Sequence, residues 1–301
     1  MLYGIIDLGS NTIRLSIFTY EQGEAKLLLN KKVMAGLVSY VDDQKLSSAG
    51  IAKACAVLNT FKELLTNFNI KIYHVFATAC LRNIANTDEA TKAITDGTGL
   101  HVDVLTGEEE ARFGFLGALR VIDSEDGLLI DIGGASTELL IFKKKEIVQA
   151  ASMPIGSLNL YLKYIADFQP TKKELAEIKN GVLYEIEKTG ISGTVRDLFA
   201  VGGTAKTACK LYDDFYDLPT SNVIMETPKF EALLQAYNDN SSGFSRRILQ
   251  VEPERFHTII PGMVVLNTIA KSFESDSITI SKCGIPEGYL YNRVVKARTD
   301  V

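Results

Sequence analysis

The sequence is poor in the side chains that build metal centres and disulfide frameworks. It has four cysteines and three histidines, and it contains neither a CxxC pair nor an HExxH motif. These absences argue against a structural zinc site and against a disulfide-stapled fold. We therefore expect four reduced thiols packed as small apolar groups. We assign no catalytic role to any of the three histidines.

The sequence also lacks long apolar runs and an excess of positive charge. No run approaches the ~18 apolar residues that a membrane helix needs. The first ten residues carry Asp7 but none of the basic residues of a secretory signal. The net charge is −5, whereas nucleic-acid binders are usually basic. We expect a cytoplasmic protein whose partners are neither a membrane nor a nucleic acid.

The 301 residues that are present have an ordinary globular composition, 46% hydrophobic and 23% charged. At ~150 residues per domain, this length predicts two domains. Strand-like apolar runs alternate with amphipathic helical segments along the chain. This alternation predicts an α/β fold.

One stretch of sequence occurs twice. Residues 6–9 read IDLG and residues 130–133 read IDIG, so that Asp131 follows Asp7 by 124 residues. At the same offset and without a gap, Leu15, Ile17 and Phe18 match Leu139, Ile141 and Phe142. Each copy is typical of a buried strand, a tight polar turn and a second strand. We expect each copy to open one of two similar domains, with the boundary near residues 123–126.

Both turns carry residues suited to phosphate. Glycine permits positive φ and close approach to a ligand, and successive backbone N–H groups with hydroxyls cradle phosphate oxygens. An aspartate at the end of each first strand suits Mg²⁺. A single glycine turn in a hairpin is common, but two turns that each follow an aspartate favour a nucleotide or phosphate cleft. The turns are Gly9-Ser10-Asn11-Thr12 and Gly133-Gly134-Ala135-Ser136-Thr137.

A third acidic feature is Glu110. Residues 106–109 have capping-box spacing and predict a helix from there to about Val121. Residues 113, 114 and 117 share a face with Glu110 and are apolar or small, so the carboxylate is predicted to point inward. A buried carboxylate needs compensation. Glu110 is either a general base beside a phosphate cleft or the partner of an arginine, Arg82 or Arg112.

Further glycine and proline signals follow along the chain. The strand at 198–201 ends in Gly202-Gly203-Thr204 before a helical segment, an arrangement that aims amides and a positive helix end at an anion. A second capping box at residues 171–174 predicts a helix to about Lys188. Pro286 predicts the start of a last helix over residues 286–298.

The whole chain resembles the exopolyphosphatase/guanosine pentaphosphate phosphohydrolase (Ppx/GppA) family of the actin-like ATPase and sugar kinase superfamily. The motifs that carry the resemblance occur in order along the chain. They are residues 6–14 (IDLGSNTIR), 78–86 (TACLRNIAN), 107–112 (GEEEAR), 130–138 (IDIGGASTE), 202–204 (GGT), 261–262 (PG) and 284–288 (GIPEG).

The resemblance implies two ribonuclease-H-like (actin-like ATPase) domains facing across an interdomain cleft. They would cover residues 1–123 and 124–287, with a C-terminal helix at 288–301 packing back on the first domain. It implies a Mg²⁺-dependent hydrolase that removes the terminal phosphate from inorganic polyphosphate. It also makes a homodimer an expectation, because the family often forms dimers.

The resemblance further implies roles for individual residues. Glu110 would be the general base that activates water, Asp131 and Glu138 would act beside metal and water, and Asp7 would be a further metal carboxylate. The residues matched to substrate and phosphate binding are Gly9, Ser10, Asn11, Thr12, Arg14, Arg82, Gly133, Gly134, Ala135, Ser136, Gly202, Gly203 and Thr204.

Two positions depart from the family pattern, and they leave alternatives open. Ala135 stands where the family usually has a third glycine, and Pro286 where it commonly has arginine. The chain also resembles the short members, which lack a C-terminal helical domain. One alternative is hydrolysis of guanosine pentaphosphate or another short phosphoanhydride. A second is a sugar or carboxylate kinase, against which residues 107–112 argue. A third is a non-catalytic sensor of polyphosphate or an alarmone, against which the three catalytic acids argue.

Overall fold

The computed structural model describes residues 1–295, which form two compact units. The first unit comprises Met1–Phe113 together with residues 286–295, and the second comprises Gly114–Ile285. The units thus divide earlier in the chain than the predicted limits of 1–123 and 124–287. Residues 296–301, which include the end of the predicted C-terminal helix, lie outside the described residues.

The first unit is built on a mixed sheet of order β3-β2-β1-β6-β7. β1, β2 and β3 form antiparallel hairpins, and β6 and β7 continue from β1 in parallel. Its elements are β1 (Leu2–Leu8), β2 (Thr12–Glu21), β3 (Glu24–Met34), a 3₁₀ turn (Leu37–Tyr40), β4 (Val41–Asp42), β5 (Lys45–Leu46), α1 (Ser48–Asn67), β6 (Tyr73–Ala77), α2 (Ala79–Arg82), α3 (Thr87–Thr98), β7 (Val102–Val104) and α4 (Gly107–Ala118), whose last residues belong to the second unit.

The second unit contains a sheet of order β10-β9-β8-β11-β13-β12. β8, β9 and β10 are antiparallel, β8, β11 and β13 are parallel, and β12 adds an antiparallel edge. The remaining elements are β8 (Gly127–Ile132), β9 (Thr137–Lys143), β10 (Glu146–Met153), α5 (Ser157–Tyr164), α6 (Lys172–Thr189), β11 (Asp197–Val201), α7 (Gly202–Tyr216), β12 (Ile224–Glu226), α8 (Thr227–Asp239), α9 (Ser241–Val251), a 3₁₀ turn (Pro253–Arg255), α10 (Ile259–Ser272), β13 (Ser277–Ile280), α11 (Ile285–Tyr289) and a π-helix (Leu290–Val295).

The sequence repeat is a structural repeat. Asp7 lies opposite Arg14 in the first hairpin, and Asp131 lies opposite Glu138 at the same register in the second. In each unit an antiparallel hairpin passes into parallel strands, which is the ribonuclease-H-like arrangement. The predicted α/β fold class is therefore confirmed within each unit.

Each sheet is covered by helices whose apolar stripes the sequence predicts. In the first unit, Ser47 caps α1 by accepting from the backbone of Gly50 (3.3 Å). The helix buries Leu58, Phe61 and Leu65 completely. In the second unit, the predicted stripe of α6 is buried as expected: Leu175, Ile178, Val182 and Ile186.

Some element limits differ from the sequence predictions. α4 ends at Ala118 rather than Val121, because the amides of Arg120 and Val121 bond to carbonyls only three residues back. The predicted last helix over 286–298 is instead the short α11 followed by a π-helix to Val295. Within residues 1–295, no helix is long and apolar enough to cross a membrane.

Candidate active site

The turn between β1 and β2 is held by backbone hydrogen bonds. The amide of Gly9 donates to the carbonyl of Thr12 (3.2 Å), and the carbonyl of Asn11 accepts from Ala35 and Gly36 (both 2.9 Å). Thr12 begins β2, and its hydroxyl donates to the sulfur of Met34 (3.3 Å). The Thr12 hydroxyl therefore makes a contact between β2 and β3.

Two buried donors at this turn have no acceptor among residues 1–295. They are Nδ2 of Asn11 and Nε of Arg14. A buried donor left unpaired costs about 1–3 kcal/mol. An oxyanion would supply the acceptors that both groups lack. Ser10 beside them is buried as well, and the phosphate role of all three residues stays a prediction.

α2 begins beside the end of β1. The thiol of Cys80 donates to the carbonyl of Leu8 (2.9 Å), tying the two elements together. Burial raises the pKa of this thiol, and the negative charges of Asp7 and Glu110 raise it further by smaller amounts. Both carboxylates therefore lie near the same end of the sheet in the first unit.

Arg82, at the end of α2, is the partner of Glu110. Its Nη1 lies 2.5 Å from Oε2 of Glu110 and donates also to the carbonyl of Leu105 (3.2 Å). Glu110 is only 5% exposed, whereas Arg112 is exposed. Of the two readings that the sequence left open for Glu110, the partner arginine is therefore confirmed, with Arg82 rather than Arg112, and the general-base role stays a prediction. A charge-assisted bond of this kind fixes the direction of the carboxylate.

The first turn of α4 is capped as the sequence predicts. The amide of Glu109 donates to the hydroxyl of Thr106 (3.1 Å), and the amide of Thr106 donates to the carboxylate of Glu109 (3.0 Å). Glu109 also pairs with Arg293, from the π-helix. These contacts hold the helix that carries Glu110.

The second glycine turn is fastened to the N-terminus of α5. The carbonyl of Gly133 accepts from the amide (2.9 Å) and hydroxyl (3.1 Å) of Ser157. Nδ2 of Asn159 donates to the carbonyl of Ala135 (2.8 Å). The amide of Gly133 bonds to the carbonyl of Ser136 (2.9 Å) and closes the turn.

No glycine of the two hairpin turns uses the positive φ that glycine permits. The described glycines with positive φ include Gly202 but neither Gly9, Gly133 nor Gly134. A methyl group on Gly9 would lie 2.9 Å from the carbonyl oxygen of Thr12. Because φ is not positive at Ala135 either, alanine fits there without backbone strain.

Asp131 and Glu138 face each other across β8 and β9. Residues directly opposite in an antiparallel pair project from the same face of the sheet. The hydroxyl of Ser152, on β10, donates to Oε1 of Glu138 (2.8 Å). The second hairpin therefore presents two carboxylates where the first presents Asp7 and Arg14.

The turn at residues 202–204 approaches the same carboxylate. Gly202 has φ +86°, and a methyl group there would lie 2.4 Å from Oδ1 of Asp131. Thr204 is buried, with Gly262 packed so tightly against it that a methyl group on the glycine would lie 2.3 Å from the threonine methyl. This contact explains the glycine of the Pro-Gly motif at 261–262.

Arg255 is a site residue that the sequence reasoning missed. It is only 7% exposed, and its Nη2 lies where a side chain on Gly203 would begin, 2.0 Å from that methyl position. The guanidinium is thus packed against the N-terminus of α7. No spacing pattern singles out this arginine, because it sits in a 3₁₀ turn far along the chain from the glycines it contacts.

The donor set suits a hard cation. Within the described part of the chain, no group of three His, Cys, Asp or Glu side chains is arranged to hold a metal ion. Mg²⁺ usually takes one or two carboxylates and completes its shell with water and phosphate oxygens. Asp131 and Glu138 together supply two carboxylates, so this pair fits a Mg²⁺ ion.

Comparison with known proteins identifies the family. The model of the Ppx/GppA phosphatase family matches residues 16–297. The chain therefore belongs to this family and is a phosphatase by class. Its structure is similar to the crystal structure of the Aquifex aeolicus member, with a TM-score of 0.81 and 26% identity over 99% of this chain and 98% of that one.

Two curated relatives show the range of the family. The chain is 22% identical to exopolyphosphatase 1 of Mycobacterium leprae, over 98% of this chain and 90% of that protein. It is 26% identical to the guanosine-5'-triphosphate,3'-diphosphate pyrophosphatase of Photobacterium profundum, over 99% of this chain. The match spans only 60% of the length of that second relative.

Proposed function

We propose that this protein is a Mg²⁺-dependent exopolyphosphatase, which removes the terminal phosphate from inorganic polyphosphate with Glu110 as general base. The observation that carries the proposal is the pair of buried, unmet donors on Asn11 and Arg14, which need an anionic partner, and the general-base role of Glu110 is carried over from the family resemblance. The relative from Mycobacterium leprae is named for this activity.

The reaction needs positioning and charge compensation more than covalent catalysis. Glu110 would take a proton from the attacking water, whose oxygen bonds to the terminal phosphorus. The bond from that phosphorus to the bridging oxygen breaks, and the oxygen leaves on the shortened chain. Arg14, Arg255 and the α7 amides would compensate the phosphate charge.

Mg²⁺, when bound, would neutralise phosphate oxygens and make the phosphorus more electrophilic. Asp131 and Glu138 are the residues that would hold it, with Asp7 as a further carboxylate. The hydroxyl of Ser152 would keep Glu138 oriented. A cytoplasmic location and a homodimer stay predictions.

Guanosine pentaphosphate is the second candidate substrate. The relative from Photobacterium profundum is named for that chemistry, and both substrates end in the same phosphoanhydride. A binding protein without activity is the remaining alternative. A protein that only binds the anion has no need of a buried carboxylate held in one direction, because no water has to be activated.

The test is phosphate release from short polyphosphate, long polyphosphate and guanosine pentaphosphate, with Mg²⁺ and with chelator. Glu110→Gln keeps the shape of the side chain and should lower release by ~10²–10⁴-fold, the range for losing a general base. Glu108→Gln is the matched control, since it makes the same change on the same helix at an exposed position, and it should retain wild-type rates.

The outcomes separate the alternatives. Release that requires Mg²⁺ and is lost in Glu110→Gln alone supports the proposal and ranks the substrates. Equal rates in Glu110→Gln and wild type would refute the general base. Tight binding of all three compounds without any release would favour the sensor.

A further inference from the structure

A pocket of about 280 Å³ opens between α6, α8 and α10 in the second unit. None of its lining residues belongs to the candidate active site described above. Leu175, Leu234 and Val264 contribute apolar walls. A cavity near the lower end of the usual ~300–1,000 Å³ range suits a small ligand rather than a polymer.

Two residues that line this pocket each carry a buried side-chain oxygen with no partner among residues 1–295. These oxygens are Oδ1 of Asn238, on α8, and Oδ1 of Asn267, on α10. Each unmet acceptor destabilises the fold, because its desolvation is not offset by a hydrogen bond. If either amide is turned over, the same position holds an unmet donor instead. A ligand that satisfies both amides must present hydrogen-bond donors and acceptors along one edge.

The charged residues at the pocket favour an anion. Lys172 and Lys179 are seven residues apart on α6, which places both on one face of the helix, about 10 Å apart along its axis. Both are exposed and line the pocket. Glu231 also lines it, but its carboxylate is paired with Lys271. The lining is therefore positive although the whole chain is acidic.

We propose that this pocket binds a mononucleotide. The heterocyclic base would lie between the apolar walls and hydrogen-bond through its edge to Asn238 and Asn267. The phosphate would lie by Lys172 and Lys179. The base supplies the mixed donor and acceptor edge that the two amides need, and the phosphate supplies the charge that the lysines need.

The experiment is calorimetric titration of the full chain with AMP and with GMP, and with inorganic phosphate as a separate arm. Asn267→Leu removes one unmet amide and keeps the number of side-chain heavy atoms and the branch at Cγ. Lys179→Met removes one charge and keeps the apolar stem. The matched controls are Asn180→Leu and Lys173→Met, which make the same changes on α6 at exposed residues that do not line the pocket. Melting temperatures check that every variant folds.

Wild type and both controls should bind at least one nucleotide saturably. Asn267→Leu and Lys179→Met should each weaken that binding about tenfold or more, the loss expected for one hydrogen bond or charge contact. Phosphate release without added nucleotide should be unchanged in both. If Asn267→Leu misfolds, Lys179→Met at the exposed rim still decides the result.

Three outcomes would overturn the proposal. The first is no nucleotide binding by wild type at about 1 mM, a Kd equivalent to only −4.1 kcal/mol. The second is equal binding by wild type and both pocket variants, which would place the nucleotide elsewhere on the protein. The third is inorganic phosphate binding as tightly as AMP and GMP, which would leave an anion site without base recognition.

Discussion

The ion pair between Arg82 and Glu110 makes a quantitative prediction about stability. The side chain of Glu110 is 6% exposed and that of Arg82 is 17% exposed, at a separation of 2.5 Å. Removing one partner of a buried pair leaves a desolvated charge and costs about 3–5 kcal/mol, whereas replacing both with apolar residues is often nearly neutral. Arg82→Leu and Glu110→Leu should each lower the free energy of unfolding strongly. The double variant should lose much less than their sum.

The assay is urea unfolding of wild type, both single variants and the double variant, read as a double-mutant cycle. The control cycle uses Lys92 and Asp96 on α3. This pair has the same separation, but its side chains are 77% and 62% exposed. Its coupling should be only about 0.3–0.5 kcal/mol. Equal couplings in the two cycles would refute the view that burial makes the Arg82–Glu110 pair important.

Two further predictions concern the second unit. Gly202→Ala and Gly23→Ala impose the same backbone strain, since their φ angles are +86° and +87°, but only Gly202 has Asp131 Oδ1 at 2.4 Å from the new methyl group. Gly23→Ala should lose about 1–2 kcal/mol of stability, Gly202→Ala should lose more because of the added contact, and only Gly202→Ala should also lose phosphate release; an active Gly202→Ala would contradict the role of Asp131. Burial, and then the charge of Arg255, lowers the pKa of His257 below its ordinary 6.5. Its contribution to stability is therefore complete above about pH 6.5 and is lost as pH falls through the lowered pKa. His257→Gln should flatten the acid-side decline in unfolding free energy, and an unchanged slope would contradict this assignment.

Several features of the fold follow from short-range sequence patterns. The two hairpins were predictable because strand alternation and turn residues recur with a spacing of 124 residues. The structure shows that both copies share one register, with Asp7 opposite Arg14 and Asp131 opposite Glu138. The capping boxes at Thr106 and Thr171 form as predicted. A capping box joins two residues that are three apart in the sequence, so it can be predicted without knowing where any distant element lies.

The inward direction of Glu110 was also readable, because it depends on the helical spacing of its own neighbours. The arginine that pairs with Glu110 could not be identified from the sequence. Arg82 lies on another helix, and the sequence left Arg82 and Arg112 as equal choices until packing of α2 beside β1 placed the first one 2.5 Å away.

Tertiary structure alone decided three other points. Arg255 lies against Gly203 because a short turn before α10 returns to the start of α7, a contact across some fifty residues that no periodicity encodes. Gly9 lies close to the carbonyl oxygen of Thr12, and neither hairpin turn uses a glycine at positive φ. The unmet amides of Asn238 and Asn267 share one pocket only because α8 and α10 pack together. Sequence alone determined what depends on neighbours along the chain, and packing determined which distant groups meet, because those contacts form only when the elements come together.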